Sequence, residues 1–333
     1  MESNKVLLTG GSGFIGIHLV KLLCNQNYTV LNLDITKPID NTNIDLWRNI
    51  SVTNSELLSQ QVLEFDPHYI IHLSATTTQN AKSLGEFEVN IQGTQNLVDV
   101  ANNLTSLKKL IFTSTQYVNT PGHPFSDDLS KLKPYGYYGE SKLVGEQIIQ
   151  NSFSSSSWTI IRPTNIWGPH HPILVKGLWK QISKRRYLHP KCDTSIKAYG
   201  YVENTSWQIA KLIELENRLT DQQIFYLADG NMSQRQWVSA FVSRLTGGKM
   251  AEIPKVFLFV MSEAGEILRR VGISSPLYRS RYHNLTTSNP SPLDKTLSIL
   301  GPVPIGFSDA VDRTCSWLEE EYRSKKKRLH HGE

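Results

Sequence analysis

The 333-residue chain is poor in cysteine: Cys24, Cys192 and Cys315 are odd in number and lie more than a hundred residues apart. That spacing builds neither a disulfide framework nor a metal-ligand cluster. The thiols read as small buried or half-buried groups of a protein kept in the reducing cytosol. Long apolar runs are missing too. The longest, Val256 to Met261, is far short of the roughly 20 residues that a membrane span requires. The few apolar residues before Gly10 make no signal-peptide core. The expected location is cytoplasmic, with no membrane partner. A broad excess of one charge is also absent. The net charge is +5, but Arg323, Lys325, Lys326, Lys327 and Arg328 crowd the end of the chain. Without residues 323–333 the balance is 30 basic against 29 acidic side chains, which is not the electrostatic footprint of a nucleic-acid binder. The basic tail at 323–333 reads as a solvated helix end, with contact to an anionic surface as the alternative.

What is present is enough apolar material, 39% of residues, to bury a sizeable core. The length suits two domains, or one large α/β unit with an appended lobe. Short β-type runs alternate with amphipathic stretches through the first half. Val6 to Thr9 stops at Gly10, and Ile15, Leu19, Leu22 and Leu23 then recur at helical spacing. Further strands are expected at 29–33, 69–73, 109–113 and 158–161, with helices at 54–65, 86–103 and 139–150. Continuous apolar strands in βαβα order mean a parallel sheet buried on both faces. The expected fold is therefore a doubly wound α/β sheet over residues 1–170. Residues 171–322 read as a smaller, mostly helical substrate lobe, some of whose elements can return to the first domain. Within it, helices are expected at 173–190, 205–216, 233–245, 255–271 and 308–322, a short strand at 199–202, and loop-rich structure where Pro and Gly cluster between 276 and 306.

Three motifs carry chemistry. Gly10, Gly13 and Gly16 follow the first strand and open the first helix, with Phe14 and Ile15 between the last two. Such a turn lets the backbone approach a pyrophosphate and offers it the N–H groups and positive dipole end of a helix. Asp34 ends the second strand, 18 residues beyond Gly16, where a carboxylate receives the adenosine ribose hydroxyls and repels a 2′-phosphate. NAD is the expected cofactor, while Lys37 leaves NADP open. Tyr138 and Lys142 stand one helical turn apart. A free phenol titrates near 10 and is a poor base at neutral pH, so a neighbouring ammonium is expected to lower it and fit Tyr138 for moving a hydroxyl proton. His170 and His171 lack the carboxylate or cysteine spacing of a metal site, and no metal is expected.

With these residues in view, the chain resembles the extended short-chain dehydrogenase/reductase family, the NAD-dependent epimerases and dehydratases that include UDP-galactose 4-epimerase-like enzymes. The resemblance covers most of the chain. Thr9 to Gly16 matches the TGxxGxxG turn, and His72-Leu73-Ser74-Ala75 resembles an HLAA strand end. Glu88 to Leu97 resembles VNVxGTxNL, and Ile161 to Pro169 resembles LRPxNVYGP. The resemblance implies a Rossmann-type fold, a catalytic Thr115 at the end of the Phe112–Thr115 strand, and an Asn90 that supports the active-site helix. It implies cofactor contacts at Asp45 and Leu46 for the adenine and at Leu73, Ala75 and Pro163. It further implies substrate contacts at Thr115, Gln116, Asn165 and Arg281, the last (or Arg279) for a pyrophosphate. Departures occur at Val118-Asn119-Thr120, where the family has Val-Tyr-Gly, and at Lys197 to Asn204, which weakens an RxxxYVxDD-like segment. Gln116 and Tyr117 replace the Asp and Glu of the family's dehydratases. The expected activity is therefore hydride transfer at a secondary alcohol or ketone by a nucleotide-sugar epimerase or 4-keto reductase, centred on sugar C4. A hydroxysteroid-type or aldehyde reductase on an apolar substrate, and an idle dinucleotide-binding scaffold, are the alternatives. Family members pair through helices equivalent to 86–103 and 139–150, so a homodimer is expected.

Overall fold

The computed structural model describes residues 4–78, 80–273 and 275–331, apart from the side chains of 41, 42 and 325–331. The side chains of Lys325, Lys326, Lys327 and Arg328, on which the reading of the basic tail rests, lie outside the described residues.

The chain begins with β1 (Lys5–Thr9), α1 (Phe14–Asn25), β2 (Thr29–Leu33), β3 (Trp47–Arg48), α2 (Ser55–Phe65), β4 (Tyr69–His72), α3 (Glu88–Ala101), β5 (Lys109–Thr113), α4 (Gly136–Ser152), β6 (Ser157–Pro163) and β7 (Asn165–Trp167). It continues through α5 (Pro172–Lys176), α6 (Leu178–Ser183), β8 (Leu188–Pro190), β9 (Ile196–Tyr201), α7 (Val202–Glu214), α8 (Asn217–Thr220), β10 (Gln223–Leu227), β11 (Gly230–Ser233) and α9 (Gln234–Thr246). It ends with β12 (Ala251–Ile253), α10 (Lys255–Arg270), α11 (Arg279–Thr286), α12 (Asp294–Leu300) and α13 (Phe307–His331). Contacts divide the described residues into two compact units. One takes Met1–Ile166, Val202–Asp229 and Ser291–Val303; the other takes Trp167–Tyr201, Gly230–Pro290 and Pro304–Glu333.

In the first unit, seven strands lie in the order β10-β6-β5-β4-β1-β2-β3, and every pairing is parallel. The period-two alternation of strand side chains sends them into separate cores on the two faces. Leu7, Ile70, Leu110 and Ile160 meet Leu58, Val62, Leu97 and Ile149 of α2, α3 and α4 on one face. Val6, Leu8, Ile71 and Ile161 meet Leu19, Leu23, Ile209 and Ile213 of α1 and α7 on the other. Strand order reverses at β1, whose neighbours are β2 and β4, and the crevice beyond the strand ends at such a point is where α/β sheets bind ligands. β10 extends this sheet although its residues were not expected as a strand.

The second unit pairs β9 with β11 antiparallel and β8 with β12 parallel. Its core is aromatic: Trp237 stacks on Tyr199 at 4.8 Å, and Trp167 meets Phe241 edge-on at 5.4 Å. Two expectations are corrected here. The single helix over 173–190 is instead α5 and α6, broken at Gly177 (φ −104, ψ −102), followed by β8. The Pro- and Gly-rich stretch at 276–306 is not loop throughout, since it holds α11 and α12; its prolines fall before, between or after these helices, where they cost no helical hydrogen bond.

Candidate active site

The glycine turn is shaped by crowding. Gly10 adopts φ +76, donates its N–H to Leu33 O at 2.9 Å, and lies so close to Ser74 N that a Cβ would come within 2.7 Å. A Cβ on Gly16 would collide with the Gly10 carbonyl, so α1 packs directly on the turn. Gly13 is different. A Cβ there would meet only Gly10 O, at 3.2 Å, which leaves that side of the backbone open. Gly13 also caps α1 without a side-chain hydrogen bond, and the first turn holds no acid. The first turn of α1 thus sets no acidic side chain of its own against its N–H groups and dipole. Phe14 and Ile15 are half-buried at this end of the helix, Phe14 edge-on to His18 at 6.2 Å.

Asp34, half-buried just beyond β2, is held by two backbone donors: Ser12 N to Oδ2 at 3.0 Å and Thr36 N to Oδ1 at 2.8 Å. Asn32 was not anticipated. It is 2% exposed, accepts from Gly11 N at 2.9 Å, and donates to Ser12 Oγ at 3.1 Å, tying the turn to β2. The one available signal was an amide inside the apolar run Val30 to Leu33. Trp47 Nε1 donates to Asp34 O at 2.7 Å. Near it, Asp45 is exposed with its carbonyl accepting from Arg48, and Leu46 packs on the α1 and α7 side of the core. Leu73 donates its N–H to Thr9 O, and Ala75 follows half-buried.

A chain of polar contacts then crosses from β4 to α4. The Asn90 amide accepts from Thr76 N at 2.7 Å and donates to Thr76 O at 3.0 Å and Ser141 Oγ at 2.9 Å, while Ser141 Oγ donates to Tyr138 O at 2.8 Å. Asn90 thus fixes the loop after β4 and the turn of α4 that carries Tyr138. Gly139 allows the close approach, because a Cβ there would collide with Tyr117 O. Thr115 Oγ1 accepts from Tyr117 N at 3.3 Å, and Thr115 is near enough to the Tyr138 phenol to lower its pKa. Lys142 is 1% exposed, and its Nζ lies 4.7 Å from the centroid of the Phe112 ring.

Electrostatics depart from expectation. Burial pushes the Tyr138 phenol up to about 12, and nearby Thr115 pulls it back only in part. Burial also drives the Lys142 ammonium down to about 7, opposed by the charge of Glu146. The physical reason is that both groups sit in a low-dielectric pocket, where desolvation disfavours a phenolate and an ammonium alike. The groups that set the phenol here are its burial and Thr115, with Tyr117 raising it further. Behind them lies a pair that sequence reasoning missed: Arg162 and Glu146, both with side chains 0% exposed, joined by Nε to Oε1 at 2.9 Å and Nη2 to Oε2 at 2.7 Å. Arg162 also donates to Tyr226 Oη at 2.9 Å. Its pairing holds the guanidinium charged despite burial, which on its own would oppose the charge.

On the substrate side, Gln116 is 3% exposed with neither amide atom hydrogen-bonded, and the Thr113 and Ser114 hydroxyls beside it are likewise buried without partners. Pro163 ends β6 and is buried, and Asn165 opens β7 half-buried. Arg281 belongs to the second unit, exposed, with its guanidinium on Pro276 O at 2.7 Å and 5.0 Å from the Tyr278 ring; Arg279 pairs with Glu263. Among the described residues no group of three or more His, Cys, Asp or Glu is placed to hold a metal ion.

Turn, carboxylate and Tyr–Lys helix sit together on one sheet in an arrangement that defines a nucleotide-dependent oxidoreductase or isomerase. The profile of the NAD dependent epimerase/dehydratase family matches residues 6–205, so the chain belongs to that family and is an enzyme of the extended short-chain dehydrogenase type, with NAD as the family's cofactor. It is 29% identical over 206 residues to an N-acetyl-α-D-glucosaminyl-diphospho-ditrans,octacis-undecaprenol 4-epimerase of Escherichia coli O157:H7, covering 61% of each chain. It is 24% identical to the decarboxylating sterol-4-α-carboxylate 3-dehydrogenase of Schizosaccharomyces pombe, covering 96% of this chain and 99% of that one. Its fold is similar to that of a UDP-glucose 4-epimerase of Thermotoga maritima, with a TM-score of 0.73 at 18% identity over 96% and 99% of the two chains. The open backbone at Gly13, the uncapped end of α1 and the oriented Asp34 carboxylate fit a dinucleotide.

Proposed function

We propose that the protein moves a hydride at C4 of a diphosphate-linked sugar, a nucleotide sugar foremost, as an epimerase or a 4-keto reductase. Gly10, Gly13 and Gly16 with Phe14 and Ile15 hold the pyrophosphate, and Asp34 receives the adenosine ribose. Asp45 and Leu46 flank the adenine, while Leu73, Ala75, Asn90 and Pro163 line the rest of the cofactor. NAD, when bound, supplies or accepts the hydride. In reduction, the Tyr138 phenol, kept protonated by burial, gives its proton to the ketone oxygen, which Thr115 orients. In oxidation the alcohol proton returns to a phenolate, and a protonated Lys142 is what stabilises that charge. An epimerase performs both steps, with the transient ketone turned over between them.

The observation that carries the reading is the buried polar chain from Asn90 through Ser141 to Tyr138 O, which sets the turn of α4 bearing Tyr138 and Lys142 on the sheet that also carries the glycine turn. The end-to-end match with a sterol-4-carboxylate dehydrogenase favours a second reading, an apolar secondary alcohol. A thermal-shift series separates them. NAD is expected to raise the melting temperature more than NADP, and a UDP- or polyprenyl-diphosphate sugar to raise it further, since a ligand at 100 times its Kd adds about 2.7 kcal/mol. A response to a 4-carboxysterol and to none of the sugars would select the second reading.

A further inference from the structure

Glu146 and Arg162 form a charged pair that the chemistry above leaves idle. Tyr138, Lys142 and Glu146 follow one another at intervals of four along α4, so they share one side of the helix. Lys142 is 1% exposed and Glu146 0%. Two opposite charges one turn apart and out of water act on each other far more strongly than a surface pair does. Glu146 cannot swing away, because Arg162 holds both of its oxygens. Arg162 is itself tied to Tyr226 Oη at 2.9 Å and to Ser126 O at 3.2 Å. Stability alone does not account for such a pair. Apolar side chains of similar volume often serve a core as well or better; what they do not supply is a fixed negative charge beside Lys142.

The other groups packed around this turn leave that task to Glu146. His72 on β4 is neutral, driven to about 3 by burial and then by the charge of Lys142. β5 gives the ring of Phe112, and Gly145 makes room for it, since a Cβ there would collide with the ring. α3 gives the neutral Asn90 and Thr94, and the turn after β5 gives the phenol of Tyr117. Burial works against the Lys142 ammonium, and among the described residues the charge that opposes this is that of Glu146. We propose, on the strength of the Tyr138–Lys142 reaction above, that Glu146, fixed by Arg162, is a positioning residue that acts through Lys142 and keeps its ammonium charged at neutral pH. Alcohol oxidation needs a phenolate beside that ammonium. A phenol beside a neutral amine binds the same number of protons but is idle. Each pH unit by which Lys142 becomes a weaker base therefore lowers the working share about tenfold.

The test follows Lys142 directly, by NMR of the full chain labelled with carbon-13 at lysine Cε, its signal assigned by loss in Lys142→Met. Glu146→Gln leaves the Arg162 charge unopposed. It is expected to lower the Lys142 midpoint by about two pH units, the size for charges roughly 6 Å apart at an effective dielectric near 20. Arg162→Met should raise the midpoint. The double variant, Glu146→Gln with Arg162→Met, leaves no buried charge unpaired, so it holds the test open where a single variant does not fold. Its midpoint should fall between those of Glu146→Gln and the wild type. In kinetics, the pH-independent rate of alcohol oxidation should drop about tenfold per unit of midpoint shift, with rates below both midpoints unchanged. A merely structural role would lower rates alike at every pH. A midpoint unmoved in the double variant, or moved the same way by Glu146→Gln and Arg162→Met, overturns the proposal. A midpoint that moves while the oxidation rate stays leaves Glu146 in control of Lys142, and overturns instead the reaction assigned to Tyr138 and Lys142.

Discussion

Tyr138 and Lys142 were visible in the sequence because their spacing is local, and one turn of helix is enough to bring them together. Their protonation was not visible. It depends on desolvation by Phe87, Phe112 and the α4 packing, which only the fold supplies, and burial moves the two groups in opposite directions. Asn32 and the Arg162–Glu146 pair were missed for related reasons. The partners of Asn32 lie about 20 residues away, and Glu146 lies 16 residues before Arg162, separations at which no helical or strand period applies. The sharpest residue-level expectation is for Tyr138→Phe. The ring remains to pack against Phe87 at 6.2 Å, so fold and NAD binding should survive while turnover falls about 10²–10⁴-fold, the usual yield of a positioned acid/base. Steady-state kinetics alongside NAD titration measure both, and a variant retaining most of its turnover removes the phenol from the mechanism.

Elements of the first unit were legible because each strand is a continuous apolar run and each helix an amphipathic one. The strand expected at 109–113 coincides with β5, and α4 extends beyond the expected 139–150 by a few residues at its start. β10 escaped notice even though Ile224 to Leu227 is as apolar as β1, because it follows a long excursion through the other unit. The division of 173–190 turned on one residue, Gly177, whose backbone leaves the helical region. β4 also carries a pH dependence. His72 is buried between Thr9 Oγ1 at 2.6 Å and Thr94 Oγ1 at 3.1 Å, and burial, assisted by the charge of Lys142, lowers it from 6.5 to about 3. The folded pKa lies below the unfolded one, so the unfolded chain takes up the proton first. Stability from this site is complete above pH 6.5 and is lost as pH falls toward 3, about 2–3 kcal/mol by roughly pH 4.5. Urea unfolding at neutral pH and at that pH should show a loss larger by this amount than in His72→Gln. Equal losses would mean that His72 is charged in the native state.

At the scale of the whole molecule, composition and order gave the sheet and a second body, but not the path between them. Nothing in the local pattern of 202–229 or 291–303 marks them as belonging with the first 166 residues; that follows from β10 completing the sheet beside β6 and from Thr296 Oγ1 donating to Tyr226 O at 2.7 Å. Assembly is the remaining question at this scale. α3 and α4 pack together on one face of the sheet, and Ile91 and Val144 on them stay half-buried in a single chain. Leaving such side chains partly wet forgoes about 25 cal/mol for each Å² that a partner would cover, and a two-fold pairing of the two helices with their copies would close them into a four-helix bundle. The protein is accordingly expected to run as a dimer of 37.7 kDa chains by multi-angle light scattering. Ile91→Asp with Val144→Asp should return it to the monomer mass while shifting the melting temperature by only a few degrees, since both residues lie outside the two buried cores. A wild-type mass of 37.7 kDa at every concentration would remove this pairing and leave Ile91 and Val144 as ordinary surface positions.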